Sequence, residues 1–456
     1  MALINIAPKL TPEQYEHNFR DISPPLTPQQ ARIESARCLF CFDAPCIKAC
    51  PTRIDVPSFI KKITTGNLKG SARVILSANI LGESCGRVCP TEVLCEGACV
   101  MNEQGERPIE IGRLQRYAVD YVLDNNIRLF AAGAANGRRV ACIGSGPASL
   151  ACAGELAKWG YEVEVYDRNE QPGGLNTYGI AAYKTRAADS LREVKLVADL
   201  GVKFHQGVEV GNDISLVALE SKFDAIFIGV GLGDTSALKL PGEDLEGVYG
   251  ALEFIEPTKV RPFEGIDVGR RVVVIGAGNT AVDVVTAARR LGAEQVSLVY
   301  RRGAREMSAF KYEYELAQKD GVMFHWHTQP IGIVGNGHVE GVRCVRTRLV
   351  GEGRKAKVEP LPETAFVIPA DMVVGALGQQ PLLSLVQMLP GIIIENEHLV
   401  VDRETGQTGN PRYFAGGDCV NGGREVVDAV AEGMRAARGI DAMLSSSAAL
   451  QGGMPG

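Results

Sequence analysis

Residues 138–167 have the sequence RRVACIGSGPASLACAGELAKWGYEVEVYD, and this stretch decides the fold of the chain. A short apolar segment ends at Gly144, a run rich in helix-forming residues ends at Gly160, and a strand-like segment, YEVEVYD, follows. This order predicts a strand, a helix and a second strand, which together begin a Rossmann-like dinucleotide-binding domain.

The glycine-rich turn between that strand and helix predicts a nucleotide site. Such a turn lets the backbone approach a pyrophosphate and directs a helix N-terminus at it. The candidate contacts in the turn are Gly144, Gly146, Pro147 and Ala148. Asp167 ends the second strand, where a carboxylate can accept a hydrogen bond from a ribose hydroxyl. The flanking strand–helix–strand pattern makes a chance surface turn the weaker interpretation.

The same pattern returns at residues 269–302, where GRRVVVIG, AGNTAVDVVTAARRLGA and QVSLVYRR predict a strand, a helix and a strand. The candidate contacts in this second turn are Gly276, Gly278, Asn279 and Thr280. The second strand ends in Arg301 and Arg302, without an acid. Their guanidinium groups could hold a ribose 2′-phosphate, which favours NADPH. The alternative is that both arginines only mark a solvated strand end.

Two dinucleotide sites in one chain suggest a tightly held FAD and an exchangeable nicotinamide dinucleotide. The segment TGNPRYFAGGD, residues 408–418, predicts a strand that leads into Gly417 and Asp418, where a carboxylate can contact a ribitol hydroxyl. If this segment packs on the first domain, FAD lies at the first turn and the nicotinamide nucleotide at the second. The other candidate flavin contacts are Gly173, Gly174 and Leu175.

Eight of the twelve cysteines lie between Cys38 and Cys99. They form a C-x2-C-x4-C-x3-C-P group, a C-x3-C-P group and a final C-x3-C pair. These spacings are typical of ferredoxin-like sites, in which a cysteine before proline ligates a second cluster. Eight thiolates could serve two 4Fe-4S clusters. The alternative, structural zinc, would leave the flavin without an onward electron path.

Bulk composition excludes other classes of protein. The chain has 456 residues, a net charge of −6 and a mean hydropathy near zero. These values are typical of a globular protein of two or three domains and do not favour nucleic acid or an anionic membrane as a partner. Because the sequence has neither a secretory signal pattern nor an apolar run long enough for a membrane helix, we expect a cytoplasmic protein. No nucleophile–histidine–acid arrangement is found, so no catalytic side chain is predicted.

The sequence therefore predicts an α/β protein in which a helical iron–sulfur domain precedes two Rossmann-like domains, the first of them discontinuous. We expect the helical domain over residues 1–135 and the FAD-binding domain over 136–255 and 385–445. The NAD(P)-binding domain then covers 256–384, and residues 446–456 form a flexible tail.

Together these motifs resemble a known family, that of the glutamate synthase small subunit and of the N-terminal half of dihydropyrimidine dehydrogenase, including the separate bacterial subunit that corresponds to that half. The resemblance covers nearly the whole chain. It rests on the motifs ESARCLFCFDAPCIKACP, CGRVCPTEVLCEGAC, PIEIGRLQRYA, GSGPASL, LPGEDLEGVY, IGAGNTAVD, VYRR and YFAGGD.

Within the family the sequence is most similar to the dihydropyrimidine dehydrogenase branch, and this resemblance implies the cluster ligands. The ligands of one cluster are implied to be Cys38, Cys41, Cys46 and Cys99. The ligands of the other are implied to be Cys50, Cys89, Cys95 and Gln115. Gln115 stands at the family's ligand position in GRLQRYA, on a helix predicted from about residue 112 to 124. Cys85 is then not a ligand, which replaces the count of two all-cysteine sites.

The resemblance also implies a function and a partner. The chain is expected to be the electron-input subunit of a dihydropyrimidine dehydrogenase, which oxidises NAD(P)H through FAD and passes electrons through 4Fe-4S clusters. A separate catalytic subunit with FMN and iron–sulfur clusters would then reduce the pyrimidine. The alternatives are the small subunit of NADPH-dependent glutamate synthase and a ferredoxin–NADP transhydrogenase-type subunit.

Two points of comparison with the family bear on the coenzyme. Bacterial relatives of this branch commonly use NADH although they carry similar arginines, so NADH and NADPH both stay open. The segment GIAAYKTR, residues 179–186, lacks prolines that are common in the family, so its contacts near the flavin are expected to differ. A standalone disulfide reductase is not favoured, because no C-x2-C or C-x4-C pair lies outside the cysteine-rich region.

Overall fold

The computed structural model describes residues 5–351 and 353–451. The chain forms two compact units. Within the described residues, the larger unit consists of 23–177, 187–232 and 381–451. The smaller unit consists of 5–22, 178–186, 233–351 and 353–380.

The bounds of the helices are α1 Pro12–Asn18, α2 Pro28–Ala36, α3 Pro45–Ala49, α4 Val56–Thr64, α5 Leu68–Ala78, α6 Gly82–Val88, α7 Ile111–Asp124, α8 Pro147–Lys158, α9 Leu175–Tyr178, α10 Ala187–Ala198, α11 Leu216–Lys222, α12 Ala251–Val260, α13 Asn279–Leu291, α14 Lys311–Lys319, α15 Leu383–Met388, α16 Asp418–Asn421 and α17 Val426–Gln451. The bounds of the strands are β1 Arg139–Ile143, β2 Glu162–Asp167, β3 Lys203–Gln206, β4 Ala225–Ile228, β5 Val248–Gly250, β6 Arg271–Ile275, β7 Gln295–Val299, β8 Met323–His325, β9 Thr328–Gly335, β10 Val339–Val350, β11 Lys357–Pro369, β12 Met372–Gly375, β13 Ile394–Glu395, β14 His398–Leu399 and β15 Tyr413–Ala415.

Helices α2–α7 form the N-terminal part of the larger unit and enclose an apolar core. Thr27 and Gln30 form a capping box at the start of α2, and Pro28 occupies its first turn, so local signals fix where this helix begins. Helix α7 confirms the helix predicted near residues 112–124, and its buried face includes Leu114 and Val119. Burying each such side chain contributes roughly 1.5–3 kcal/mol.

A five-stranded parallel sheet forms the rest of the larger unit, in the order β15-β4-β1-β2-β3. Strand β15 pairs with β4, so the C-terminal segment returns to the first sheet and the discontinuous domain is confirmed. Helix α17 packs closely on α8. A Cβ atom at Gly433 would lie 2.0 Å from the carbonyl oxygen of Ala148, so only glycine permits this approach.

The smaller unit contains a second five-stranded parallel sheet, in the order β5-β12-β6-β7-β8. Helix α13 follows β6, as the second strand–turn–helix pattern predicts. An antiparallel sheet of β9, β10 and β11 lies between the last two parallel strands in sequence and was not predicted. Both parallel sheets agree with the predicted fold class.

The structure corrects the predicted domain boundaries. Residues 5–22 belong to the smaller unit and not to the helical domain predicted over 1–135, because the Ala7 amide donates to the carbonyl of Val268 at 2.8 Å and Asn18 Nδ2 donates to the carbonyl of Arg290 at 2.9 Å. Residues 233–255, predicted in the FAD-binding domain, also belong to it, because β5 pairs with β12. Residues 178–186 likewise belong to the smaller unit, whereas 381–384, predicted in the NAD(P)-binding domain, belong to the larger unit. The helical and flavin-type regions form one compact unit.

The predicted flexible tail begins too early. Helix α17 continues to Gln451, six residues into the segment predicted over 446–456, and the Ser446 hydroxyl donates to the carbonyl of Ala442 at 2.8 Å. The last five residues lie outside the described part of the chain. Among the described helices, none has both the length and the apolar character needed to cross a membrane.

Candidate functional site

The first dinucleotide turn, between β1 and α8, requires glycine at its start. Gly144 has φ +88°, and a Cβ atom there would lie 2.5 Å from the carbonyl oxygen of Gly229. Gly146 is the N-cap of α8, and its nearest neighbour in the direction of a Cβ is 3.9 Å away. Pro147 and Ala148 follow in the first helical turn. The backbone is therefore open to a pyrophosphate at a helix N-terminus.

Asp167 lies at the end of β2, as predicted, but its carboxylate is already engaged with the turn. Oδ2 accepts hydrogen bonds from the Ser145 amide at 2.7 Å and its hydroxyl at 2.6 Å. Oδ1 accepts from the Asn169 amide at 2.8 Å. A carboxylate has about four acceptor positions, so one remains for a ribose hydroxyl.

The Gly173-Gly174-Leu175 segment lies against this turn. The Gly173 amide donates to the Ser145 carbonyl at 3.1 Å, and a Cβ atom at Gly174 would lie 2.8 Å from the Cα of Gly146. Both glycines have positive φ, +114° and +56°, and Leu175 then begins α9. The close approach and the backbone conformation explain why two glycines occupy this position.

Gly417 and Asp418 reach the same helix N-terminus from the C-terminal strand. The Gly417 amide donates to Glu432 Oε2 at 2.6 Å, and a Cβ atom at Gly417 would lie 3.1 Å from the Cβ of Ala148. Burial raises the pKa of Asp418, and the Arg424 amide donates to its Oδ1 at 3.2 Å. The structure thus brings together all the predicted flavin contacts.

Two buried polar atoms beside this turn lack partners among the described residues. They are Ser149 Oγ, on α8, and Asn176 Oδ1, which follows Leu175. Asn176 is only 1% exposed. A buried polar group without a hydrogen bond is costly, so both atoms fit a site that a polar ligand completes. The donor set and the open turn suit a flavin dinucleotide.

Cys38, Cys41, Cys46 and Cys99 line one apolar cavity, together with side chains such as Ile60 and Ile109. Burial, with the neighbouring Cys38 and Cys99, raises the pKa of the Cys46 thiol to about 12. Such thiols are protonated without metal, and bound iron displaces the protons. The four sulfurs form the set predicted for the first cluster.

Cys50, Cys89 and Cys95 form a second group. Burial raises the pKa of Cys95, and the neighbouring Cys50 and Cys46 contribute. The pKa of Cys89 is raised most by a hydrogen bond with Cys85. Burial and the neighbouring thiols of Cys95 and Cys50 raise it further. Cys85 therefore lies beside this group, and Asn79 Nδ2 lies 3.1 Å from its sulfur.

Gln115 lies on the buried face of α7, 6% exposed. Its Nε2 donates to the carbonyl of Gly82, at the start of α6, at 2.8 Å. Its Oε1 accepts no hydrogen bond within the part of the chain that the structure describes. Helix α6 also leads directly into Cys89. The Gly112 amide, one turn earlier on α7, donates to Glu96 Oε1 at 2.9 Å, and Glu96 follows Cys95 in the sequence. An amide oxygen without a donor on this part of α7 suits a metal ligand.

In residues 5–351 and 353–451, no three His, Cys, Asp or Glu side chains are arranged to hold a single metal ion.

The second dinucleotide turn lies in the smaller unit, between β6 and α13. Gly276 has φ +140°, and a Cβ atom there would lie 2.3 Å from the carbonyl oxygen of Ala376. Gly278 is the N-cap of α13, and Asn279 and Thr280 begin the helix. Asn279 Oδ1 accepts from the Phe310 amide at 3.0 Å, so this side chain holds the neighbouring loop.

The arginines after β7 differ in their surroundings. Arg302 Nη1 donates to the carbonyl of Ala356 at 2.8 Å, so part of its hydrogen-bonding capacity is used within the protein. Arg301 is exposed, and its guanidinium makes no hydrogen bond or ion pair among the described residues. Arg301 is therefore better placed than Arg302 to meet a phosphate.

A buried ionic cluster in the smaller unit was not predicted. Lys184 Nζ lies 2.7 Å from Asp283 Oδ1 and also donates to Glu313, and the Tyr183 hydroxyl donates to Asp283 at 2.8 Å. Burial lowers the pKa of Lys184, but the two carboxylates raise it above its ordinary value. The only sequence signal was an acid within the apolar pattern of α13.

Two family profiles match the chain. Residues 15–127 match the dihydropyrimidine dehydrogenase domain II, 4Fe-4S cluster family, and residues 138–433 match the pyridine nucleotide-disulphide oxidoreductase family. The two matches agree with the cysteine groups and with the two dinucleotide turns.

Similar full-length proteins and solved structures give the same result. The glutamate synthase [NADPH] small chain of Escherichia coli is 37% identical over 443 residues, 92% of this chain and 93% of that protein. The NAD-dependent dihydropyrimidine dehydrogenase subunit PreT of Salmonella typhimurium is 33% identical over 427 residues, 93% of this chain and 97% of that protein. FprA of Mycobacterium tuberculosis in complex with NADPH shares the fold, with a TM-score of 0.58 and 21% identity over 69% of this chain and 86% of that one.

Proposed function

The chain belongs to the pyridine nucleotide-disulphide oxidoreductase family, joined to a 4Fe-4S domain of the dihydropyrimidine dehydrogenase type, and on this premise we propose that it is the electron-input subunit of a dihydropyrimidine dehydrogenase. Membership makes it an NAD(P)H-oxidising electron-transfer protein that uses FAD and 4Fe-4S clusters. The pyrimidine-reducing partner is the specific part of the proposal. Cluster thiolates need a reducing compartment, so we propose the cytoplasm as its location.

The arrangement of the larger unit supports an order of electron transfer. Helix α6, which leads into Cys89, contacts α10 and Asn176 of the flavin-type domain through hydrogen bonds of Ser84. The cluster assigned to Cys50, Cys89, Cys95 and Gln115 would therefore receive electrons from FAD. The cluster assigned to Cys38, Cys41, Cys46 and Cys99 would pass them on. FAD supplies the conversion of a two-electron hydride donor to one-electron carriers.

Gln115 is the observation that carries the choice of branch. The identities to the two kinds of relative, 37% and 33%, are too similar to discriminate between them. A buried amide, fixed by Gly82 with its oxygen uncommitted, fits a cluster with three thiolates and one neutral ligand. The resemblance gives this ligand set to the dihydropyrimidine dehydrogenase branch.

The second candidate is the small subunit of an NADPH-dependent glutamate synthase. The exposed Arg301 favours it, since a guanidinium at this position suits the 2′-phosphate of NADPH. The experiment that separates the two is co-purification of the chain with its companion subunit, followed by anaerobic assays with NADH and NADPH. Oxidation that depends on a pyrimidine supports the first function, and oxidation coupled to glutamate formation supports the second.

The partner is proposed to dock beside the first cluster. Phe42 lies between the assigned ligands Cys41 and Cys46 and is fully exposed, and Leu39 is 54% exposed. Exposed apolar side chains that lie near one another mark sites of protein interaction. An electron-accepting subunit that covers this loop would also bring its own redox centre near the cluster.

A further inference from the structure

Glu193, on α10, is a buried carboxyl at the junction of the cysteine-rich helices and the flavin-type domain. It is 1% exposed. Its Oε1 accepts from the amides of Glu83 and Ser84 at 2.8 and 2.9 Å, and its Oε2 accepts from the Ser84 hydroxyl. All these donors lie in the first turn of α6. They are neutral, so Glu193 has hydrogen bonds but no counter-charge among its direct contacts.

The cations of this junction are committed to other acids. Arg192 Nε donates to Glu83 at 3.0 Å, and Arg87 pairs with Glu83 at 3.2 Å and with Asp120 at 3.0 Å. Within the described residues Glu193 has no ion pair. The charged groups of this junction on α6, α7 and α10 are Glu83, Arg87, Asp120, Asp124, Asp189 and Arg192. Helix α8, which also packs on α10, carries Glu155 and Lys158, and these two pair with each other. Burial, followed by the charge of Glu83, raises the pKa of Glu193 to about 8.

The same turn of α6 is connected to both proposed redox sites. On one side the Gly82 carbonyl accepts from Gln115 Nε2 at 2.8 Å. On the other side Asn176 Nδ2, next to the double-glycine segment, donates to the Ser84 hydroxyl at 3.0 Å. Glu193 itself contacts none of the assigned ligands. Glu193 and Gln115 therefore bind the same turn of α6, and a charge at the cluster site acts on the carboxyl through a low-dielectric interior.

We propose that Glu193 is a redox-linked proton site of the flavin-to-cluster step. At alkaline pH, where the Glu193 carboxyl is ionised, it binds one proton from solvent when one electron reaches the cluster assigned to Cys50, Cys89, Cys95 and Gln115. When the electron leaves for the next acceptor, the carboxylate forms again and the proton returns to solvent. One added negative charge is thus matched by one proton, and the interior carries no net change. This inference rests on the proposed ligand assignment.

The test is a redox titration of the holoprotein, with FAD and clusters, followed by electron paramagnetic resonance from pH 6 to pH 10. If reduction is linked to the uptake of one proton, the reduction potential of the cluster falls by up to 59 mV per pH unit, a tenfold change in the equilibrium constant of a one-electron couple. We expect this slope above about pH 8 for the wild type and its loss above pH 8 in Glu193→Gln. Burial raises the pKa of the neighbouring Glu83 to about 7, so this acid titrates below that window. Asp199→Asn, an exposed carboxylate just after α10, is the matched control and should keep the wild-type slope. A Glu193→Gln profile identical to that of the wild type, or a flat wild-type profile, would overturn the inference.

A second measurement uses the wild type alone, in case the variant does not fold. Infrared difference spectra on reduction at pH 9 should show a carboxylate signal replaced by a protonated carboxyl signal. No change in carboxyl protonation would overturn the inference while leaving the proposed function intact. If instead no cluster signal is present in a protein that retains FAD, the ligand assignment fails and this inference fails with it.

Discussion

The side-chain amide of Gln115 donates to the backbone carbonyl of Gly82 at 2.8 Å and so joins α7 to the start of α6. This bond fixes which end of the amide is the donor. The oxygen then points away from Gly82 and has no hydrogen-bond donor in the described part of the chain. The nitrogen end of the amide is thus committed to the backbone, and the oxygen end is left for a ligand.

Gln115→Ala tests whether this oxygen is a ligand. We expect the variant to keep FAD and its reduction by the nicotinamide coenzyme, and to lose or alter the cluster of Cys50, Cys89 and Cys95. Iron content, electron paramagnetic resonance and transfer to an external acceptor measure the effect. Tyr121→Ala, an exposed position on the same helix, is the control. Full iron content with unchanged cluster spectra would show that Gln115 is not a ligand.

Cofactor stoichiometry tests the two cysteine groups together. Anaerobically prepared protein should contain one FAD, about eight irons and about eight acid-labile sulfides per chain, as two four-iron clusters require. The basis is one flavin-type turn and two ligand sets. Stoichiometric zinc, or fewer than about four irons, would contradict the cluster assignment.

Arg301 is expected to determine the choice of coenzyme more than Arg302. Loss of a charge-assisted contact costs roughly 1.5–3 kcal/mol. This cost corresponds to a KM for NADPH that is about 10- to 150-fold higher. Arg301→Ala should therefore raise the KM for NADPH far more than the KM for NADH. Arg302→Ala should have a smaller effect, because the Arg302 guanidinium already donates to the carbonyl of Ala356. Arg348→Ala, an exposed arginine paired with Glu359, is the control. Equal effects on both coenzymes would exclude a phosphate contact.

The strand–turn–helix units were predictable because their signals are local. Gly144 and Gly276 each stand between an apolar strand and an amphipathic helix, and each has the positive φ that its position requires. The sequence predicted the return of β15 to the first sheet only as a possibility. Pairing between strands nearly two hundred residues apart has no local sequence pattern. The structure then supplied that pairing.

Long-range packing explains what the sequence did not predict. Residues 1–22 were placed with the helical domain because nothing in their composition indicates a bridge between Ile6 and Gly269. The Lys184 cluster draws on three separate segments, and none of its members is unusual in its own segment. Gln115 is a polar residue on an amphipathic helix, where a surface position is the ordinary interpretation, and only the family resemblance indicated its role.

Lys184→Met should destabilise the smaller unit. The change leaves Asp283 and Glu313 buried without a counter-charge, and breaking a buried pair in this way costs roughly 3–5 kcal/mol. For a unit of this size each kcal/mol lowers the unfolding temperature by roughly 2–4 °C. Calorimetry of the holoprotein should resolve the shift. Lys195→Met, which removes an exposed pair with Asp199, should change stability by less than about 1 kcal/mol. Similar decreases of the unfolding temperature in the two variants would show that the buried ion pair stabilises the protein no more than the exposed one.

Phe42→Ala tests whether the loop between Cys41 and Cys46 is the docking site of the electron-accepting subunit. The side chain is fully exposed, so its removal should leave the fold, the iron content and the reduction of a small artificial acceptor unchanged. Apolar contact with the partner would be lost. Truncation of an aromatic anchor in an interface costs about 2 kcal/mol or more, which makes the complex at least about 30-fold weaker.

The measurements are the affinity for the companion subunit and the rate of coupled NAD(P)H oxidation. Val217→Ala, an exposed apolar residue on α11 far from the cysteines in sequence, is the matched control. If the Phe42→Ala and Val217→Ala variants bind the companion subunit equally well, Phe42 is not an interface anchor and the partner docks elsewhere.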